Sequence, residues 1–541
     1  MQNMLLRYTT FLISILVFVL SVVFYDVHES IHWLLIISAL LIVIGIHDII
    51  QTKSSILRNY PILAHFRFLF ELIRPEIRQY FLEDDTSANP FSRNQRSIVY
   101  QRAKQQIDKR PFGTQLNVYE TGYEWMNHSI KPAPISTHDF RITIGAGRAQ
   151  PYSASVFNIS AMSFGALSAN AIRALNQGAE RGNFMHDTGE GSISRYHKPE
   201  LPGHQGGALV WNIGSGYFGC RNPDGSFSEA NFAANATQPQ VKMIEVKLSQ
   251  GAKPGHGGLL PGSKVSIEIA EARGVTAGVD CVSPASHSAF GTPIELLQFI
   301  EKLRDLSGGK PTGFKFAVGH PWEFFGIVKA MLATGIHPDF IVVDGAEGGT
   351  GAAPVEFTDH VGVPLQEALL LVHNTLVGCG LRDKIKIGAS GKIVTAFDIA
   401  RTLALGADWC NSARGFMFAL GCIQSQSCHT DRCPTGVATQ DPLRQKALVV
   451  PDKAERVMHF HDNTLKALSE LIAAAGLTHP DQLRPHHIVR RVSANQVRLV
   501  SSLLPYLDDG QLLDPEQLSR LPEVYSRYWP IAQAESFHAM G

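Results

Sequence analysis

The feature that most constrains this chain is an alternation. From residue 156 onward, short β-branched or aromatic runs each break into a Gly/Ser/Asp-rich loop, and most loops lead into a segment with apolar residues at helical spacing. The runs are VFNISAMSFG (156–165), NFMHDTGEG (183–191), MIEVKLSQG (243–251), GVDCVSP (278–284), TGFKFAVG (312–319), FIVVDGAEGG (340–349), KIKIGASG (384–391) and DWCNSARG (408–415). Helical stretches such as PIELLQFIEKLRDL (293–306) and AFDIARTLALG (396–406) lie between them. Parallel strands buried under helices produce such runs, and eight is a number at which a parallel sheet closes, so the pattern predicts a (β/α)8 TIM barrel within 151–440. The stretch GALVWNIGSGYFGCRNPDGSFSEANFAANA (207–236) falls outside the alternation and is expected to be an insertion.

The N-terminus follows a different rule. Residues 9–25 (TTFLISILVFVLSVVFY) and 33–46 (WLLIISALLIVIGI) carry no charge and are separated by the short polar stretch DVHESIH, which predicts a two-helix transmembrane hairpin within 1–52. Arg7 precedes the first span, Lys53, Arg58, Arg67, Arg74 and Arg78 follow the second, and no Lys or Arg lies between, so the bulk of the chain is expected on the cytoplasmic side of a membrane. Seven cysteines without a regular framework agree with a reducing compartment. Residues 53–150 read as a juxtamembrane connector and 441–541 as a helical C-terminal extension. Lys plus Arg equals Asp plus Glu at 48 each, and no basic stretch interleaves aromatics, so composition gives no support for a nucleic-acid partner.

A barrel of this kind does its chemistry where strands end and loops begin. Gly391–Lys392 and Arg414–Gly415 follow the last two runs, where barrels often bind phosphate, although ordinary turns use the same residues. Lys247 and Lys315 lie inside runs, and Lys253 lies in the following Gly/Pro-rich loop. A lysine buried at a strand end needs an anion nearby unless it reaches solvent. A reduced flavin or a substrate carboxylate would serve. The run DGAEGGTGAAP (344–354), with Gly348 and Gly349, permits close backbone approach but is neither a dinucleotide fingerprint nor a Walker loop.

Late in the chain, GCIQSQSCHTDRCPTGVATQ (421–440) places Cys422, Cys428 and Cys433 in C-x5-C-x4-C spacing. Spacing alone leaves zinc, an iron–sulfur cluster and plain burial open, with Cys433-Pro434 preserving the last element of ferredoxin-type cluster loops. This loop resembles the cluster loop of glutamate synthases. AMSFGALS (161–168), HDTGEG (186–191), QGAKPGHGGLLPGSKV (250–265), VSPASH (282–287) and GGTGAAP (348–354) resemble that family in the same order. The resemblance spans 156–440 and implies an FMN-binding barrel with a 3Fe-4S cluster on Cys422, Cys428 and Cys433. It further implies reductive amination of 2-oxoglutarate or a related oxo acid with ammonia or an amine, fed by ferredoxin or a reductase subunit. It puts Met162 and Ser163 against the flavin, with Lys315, Gly348, Gly349, Gly391, Lys392, Arg414 and Gly415 also on the cofactor side. Glu190, Lys247, Lys253 and Arg273 become the catalytic set, with Lys253 and Arg273 on substrate carboxylates.

The chain also departs from that family. It begins Met-Gln where glutamate synthases carry an N-terminal cysteine nucleophile, so no glutaminase activity is expected. Leu259 stands where the family commonly has a glutamine that holds substrate, and ASGK replaces a more usual Asp-Gly-Gly. Two alternatives therefore stand beside the main expectation: amine transfer of the N-methylglutamate synthase type, and a flavin/iron–sulfur electron-transfer subunit without oxo-acid turnover.

Overall fold

A computed structural model of the chain describes residues 6–199 and 204–540. These form two compact units divided between Ala88 and Asn89. The division falls inside the stretch read from sequence as a single connector, because residues 63–82 are helical and residues from Asn89 onward belong to the larger unit.

In the first unit, helices α1 (Thr9–Val23) and α2 (Ser30–Ile50) pack against each other. Their polarity is inverted relative to a soluble pair. Ser14, Ser21, Ser38 and Gly45 are buried, while Leu16, Val23, Trp33, Leu40 and Val43 face outward and are more than half exposed. Gly45 permits the contact, since a Cβ there would meet the Phe11 ring at 2.2 Å. Among the described residues only α2, with 21 residues, is long and apolar enough to cross a membrane by length and composition; α1 stops at 15 because the chain turns after Val23. Of the two helices expected to form a transmembrane hairpin, one meets that measure. A third helix, α3 (Leu63–Ile77), continues into a helical turn at Arg78–Leu82.

The second unit is built on a closed parallel barrel of eight strands. In chain order these are β1 (Phe157–Ile159), β2 (His186–Asp187), β3 (Leu209–Ile213), β4 (Val241–Lys247), β5 (Thr312–Phe316), β6 (Phe340–Asp344), β7 (Lys386–Ser390) and β8 (Trp409–Ser412). β8 pairs back onto β1, closing the ring. The barrel was expected; one strand differs. Leu209–Ile213 lies in the stretch expected to be an insertion, yet all five of its residues are buried and it pairs with β2 and β4. Cys281–Ser283, expected as a barrel strand, instead pairs antiparallel with Gly258–Leu260. Val279 and Val282 are exposed by 55% and 61%, which a strand covered on both faces does not allow.

Local sequence sets the helices that follow the strands. Ser168 caps the helix Ala169–Gly182 by accepting from the Ala171 amide, and Thr395 with Asp398 forms a capping box for Ala396–Ala404. At the N-terminal mouth of the barrel the antiparallel pair Arg141–Ile144 and Tyr152–Ser155 packs Ile144 and Ala154 onto Met185, Met243, Phe340 and Trp409. That end is plugged, so the open end is the one where strands run into their following loops. The C-terminal region adds a 25-residue helix, Val450–Ala474, lying on Ala169–Gly182. It is not wholly helical, because Ile488–Ser493 and Gln496–Leu499 form a sheet with Glu124–Met126. Helix α4 (Arg93–Ala103) also packs on this long helix.

Candidate functional site

At the open mouth, the loops after β1 and β2 lock together. Gly189 takes a left-handed φ of 63°, and a Cβ there would meet the Ser163 amide nitrogen at 2.7 Å. The Gly191 amide donates to Ser163 Oγ at 3.2 Å. Met162 and Ser163 are thereby fixed beside the loop that carries Glu190. Glu190 Oε2 accepts from Lys247 Nζ at 2.9 Å, and Lys247 also donates to Gln250 Oε1 at 2.6 Å. Lys253 Nζ donates to the Gly257 carbonyl at 2.9 Å. Glu190, Lys247, Gln250, Lys253, His256 and Ser283 line one cleft.

Burial alone would raise the Glu190 carboxyl, but Lys247, and after it Lys253 and Arg273, outweigh this and hold it at about 2. Burial pulls Lys253 below the ordinary lysine value despite Glu190. Arg273 does not line the cleft: it is 7% exposed, its guanidinium lies 5.0 Å over the Phe218 ring and donates to the Phe164 carbonyl at 3.4 Å, and its Nε has no hydrogen-bond partner. The structure brings Glu190, Lys247 and Lys253 together and sets Arg273 behind them, because Gly165 and Gly191 let its side chain pack beneath their loops.

Lys315 departs further from its expected place. It stands beside Lys247 in the register of β4 and β5, yet its ammonium turns inward to Glu245, 3.4 Å away, and both side chains are at most 5% exposed. Burial would lower Lys315, but Glu245, Asp187 and Asp344 together raise it. Burial raises Asp187, and burial with Asp187 as neighbour raises Glu245. Asn212 Nδ2 donates to Glu245 Oε1 at 2.6 Å. The anion that the buried lysine required is thus supplied by the barrel interior. Glu245, Asp187 and Asn212 escaped the sequence reading because their pairing crosses strands far apart in the chain.

His287 was also missed. Its Nε2 meets the Lys247 carbonyl at 2.8 Å and its Nδ1 meets the Tyr217 hydroxyl at 3.2 Å, while that hydroxyl accepts from the Ala289 amide at 3.0 Å. A carbonyl only accepts, so Nε2 carries the proton and Tyr217 donates to Nδ1. Burial holds His287 down at about 4, so the ring is neutral and clamps the backbone from which Lys247 projects.

The remaining loops meet around the cysteines. Arg414 Nη2 donates to the Gly349 carbonyl at 3.0 Å, tying the end of β8 to the loop after β6. Gly391 and Lys392 follow β7 directly, and Lys392 Nζ lies 6.0 Å over the Phe91 ring. At Gly415 a Cβ would meet Ser412 Oγ at 2.5 Å, so packing explains this glycine. Around a Cβ at Gly349 nothing lies within 4 Å, while one at Gly348 would make ordinary contacts with Ala252. At Gly351 a Cβ would come within 3.0 Å of the His429 nitrogen and 3.1 Å of the Cys428 carbonyl carbon, so this loop rests on the cysteine segment.

Cys422 and Cys433 are buried and Cys428 is half-buried. Burial pushes the Cys422 thiol up to about 11, with Cys428 and Cys433 acting in the same direction and Arg414 against it. Cys433 goes the other way: burial raises it, but the Thr435 hydroxyl and the amides of Ala438, Thr435 and Val437 together hold it below the ordinary thiol value. The donors around Cys433 favour a thiolate at that one position. In their present arrangement, no three His, Cys, Asp or Glu side chains among the described residues stand in position to hold a metal ion. The segment is conformationally tight, with Gln424, Gln426 and Asp431 all at positive φ. It is anchored from outside the barrel, since Tyr100 Oη donates to the Cys422 carbonyl at 2.6 Å and Gln424 Nε2 to the Phe91 carbonyl at 3.1 Å.

The family described as a conserved region in glutamate synthase matches residues 129–478. The chain is 38% identical over 503 residues to the glutamate synthase large subunit-like protein YerD of Bacillus subtilis (strain 168), covering 85% of this chain and 94% of that protein. It is 36% identical over 347 residues to the archaeal glutamate synthase (NADPH) of Methanocaldococcus jannaschii, covering 63% of each. The glutamate synthase (NADPH) large chain of Bacillus subtilis matches at 34% over 331 residues, 60% of this chain but 20% of that one. Among solved structures, a flavocytochrome b2 variant with sulfite bound superposes with a TM-score of 0.43 at 12% identity, over 86% of this chain and 92% of that one.

Proposed function

The chain belongs to the glutamate synthase family, and on that premise we propose that it is a membrane-anchored oxidoreductase that reductively aminates 2-oxoglutarate or a related oxo acid to the amino acid. The observation that carries the reading is Glu190 held by Lys247, with Lys253 beside it, in a cleft at the open mouth of a parallel barrel. FMN would lie against Met162 and Ser163, with Gly349, Gly391, Lys392 and Arg414 around its phosphate, and a 3Fe-4S cluster would sit on Cys422, Cys428 and Cys433. When bound, these groups supply hydride transfer and one-electron delivery respectively.

The chain's own residues do the rest. Two ammonium groups, Lys247 and Lys253, face one carboxylate, so a dicarboxylic acid entering the cleft finds cations in excess. Glu190 stays ionised at neutral pH and cannot give up a proton; it accepts hydrogen bonds from Lys247 and from an incoming amine. Lys253, lowered by burial, is the better proton donor. Lys315 is committed to Glu245, and its place is structural support beneath the site. Electrons would come from a ferredoxin or a reductase subunit.

For the anchor, the inverted polarity of α1 and α2 suits lipid, where small and polar residues pack inside and apolar ones face out. α2 spans about 31 Å, and α1 with the preceding turn Leu6–Tyr8 about 28 Å, against a hydrocarbon core of about 30 Å. The charge pattern, with Arg7 before the first helix and Lys53 and Arg58 after the second, supports a barrel on the cytoplasmic side.

The test is direct. Purified protein should show flavin and iron–sulfur absorbance, and with dithionite, 2-oxoglutarate and ammonium it should form glutamate. Flavin without glutamate would overturn the substrate, with methylamine in place of ammonium distinguishing amine transfer. A colourless protein would overturn the cofactors.

A further inference from the structure

Helix α3 and the turn after it carry a surface that the barrel chemistry does not use. Every residue from His65 to Arg78 is exposed, although the segment is rich in large apolar side chains. Phe66, Leu69, Phe70, Ile73 and Ile77 recur at i, i+3, i+4, i+7 and i+11, which is one face of a helix. Arg67, Glu71, Arg74 and Arg78 recur at the same spacing on another face, with Arg67 and Glu71 paired at 3.1 Å. Phe70 is 61% exposed and Phe81, in the following turn, 80%. A helix this apolar and this uncovered requires an occupant.

The way α3 is tied down indicates which. Asp48, near the end of α2 and fully buried, accepts from the Ile62 amide at 2.9 Å and pairs with His65 Nε2 at 2.9 Å. Thr10, at the start of α1, donates to the Pro61 carbonyl at 2.9 Å. The start of α3 is therefore pinned at one end of the apolar pair, the end that also carries Arg7, Lys53 and Arg58. If that pair crosses a bilayer, this end is its cytoplasmic boundary.

We propose that residues 63–82 lie in the cytoplasmic headgroup layer of the membrane, with the Phe66/Phe70/Ile73 face in the acyl boundary and Arg67, Arg74 and Arg78 toward anionic lipid headgroups. The inference rests on the membrane reading of α1 and α2. Arginine on one face and Phe and Leu on the other is the composition of helices that lie in that plane. The arginines meet the negative surface potential of such a leaflet.

The test uses the full chain in nanodiscs of phosphatidylcholine, with and without phosphatidylglycerol. p-Benzoylphenylalanine replaces Phe70, Phe81, Arg74 or, as the control within α2, Leu40. After illumination, mass spectrometry identifies what each position has captured. The expected result is lipid adducts at Phe70 and Phe81 as at Leu40, few at Arg74, and a higher yield at Phe70 with the anionic lipid. Lipid captured at Leu40 but protein, this chain's or a second copy's, captured at Phe70 and Phe81 would overturn the inference and leave the anchor standing. So would lipid at Leu40 with no adduct at either phenylalanine. Lipid at Phe70 but not at Leu40 would support the surface helix and refute the span, and lipid at neither would refute both.

Discussion

Lys247→Met asks how strongly the cleft depends on its ion pair. The pair is 2.9 Å long, with the side chains 12% and 24% exposed, so solvent screens it only partly. The Glu190 carboxyl is held at about 2 against an ordinary 4.5, even though burial, the largest influence on it, pushes upward. The gap between those values corresponds to about 3 kcal/mol favouring the carboxylate in the folded protein. Lys253 and Arg273 share in that, so losing Lys247 alone is expected to lower stability by about 2 kcal/mol at neutral pH. The sign follows from a depressed folded pKa: the stabilisation is complete above pH 4.5 and is lost as pH falls through about 2. Urea denaturation of the detergent-solubilised chain should therefore show variant and wild type far apart at neutral pH and converging below pH 4.5. Adding Glu190→Gln should recover part of the loss, since no buried charge is then left unpaired. A difference between variant and wild type that does not change with pH, or a double variant no more stable than Lys247→Met, would refute the electrostatic account and assign the effect to lost packing of the lysine stem.

Gly351→Ala should destabilise the cysteine segment by about 1 to 3 kcal/mol, because the new methyl meets backbone of Cys428 and His429. Gly349→Ala, with open space around it, should not, and limited proteolysis of the two variants compares them. Tyr217→Phe removes the donor that orients His287 and is expected to lower stability by about 1 kcal/mol. With His287 held at about 4, the pH profile of wild-type turnover should carry no inflection from this ring near neutrality, and one that disappears in His287→Gln would contradict the assignment. On the proposed cofactor set, Cys433→Ser should abolish any iron–sulfur absorbance and spare any flavin bands; a spectrum unchanged by it would place no cluster on that thiol.

The strand-and-loop rhythm of the barrel, written in short contiguous stretches, was legible in the sequence, whereas the left-handed Gly189 that lets Glu190's loop meet Ser163 was not. The error at Leu209–Ile213 has a physical source. Among the described residues, β2 and β3 are joined with no helix longer than the turn Arg195–His197, so the alternation that announces a barrel strand is broken there. The chain then offered the run GVDCVSP (278–284), with valines at 279 and 282 and loop residues on either side, as a substitute. Lys315 shows a second limit. Its sequence context demanded an anion and did not say whether that anion came from a ligand or from Glu245 two strand positions below Lys247 on the neighbouring strand. Tyr100 and His287 act through a hydroxyl and a ring nitrogen on carbonyls far away in the chain, and no local pattern encodes such a contact.

The contacts from Phe91 and Tyr100 to the cysteine segment set where this molecule can be cut. The first barrel strand begins at Phe157, and a boundary drawn just before it would look natural. Trimming there would delete both the hydroxyl on the Cys422 carbonyl and the acceptor for Gln424, leaving a segment with three non-glycine residues at positive φ without those two anchors. A version lacking the first unit should therefore begin at Asn89 and keep helix α4, so that both anchors of the cysteine segment are retained.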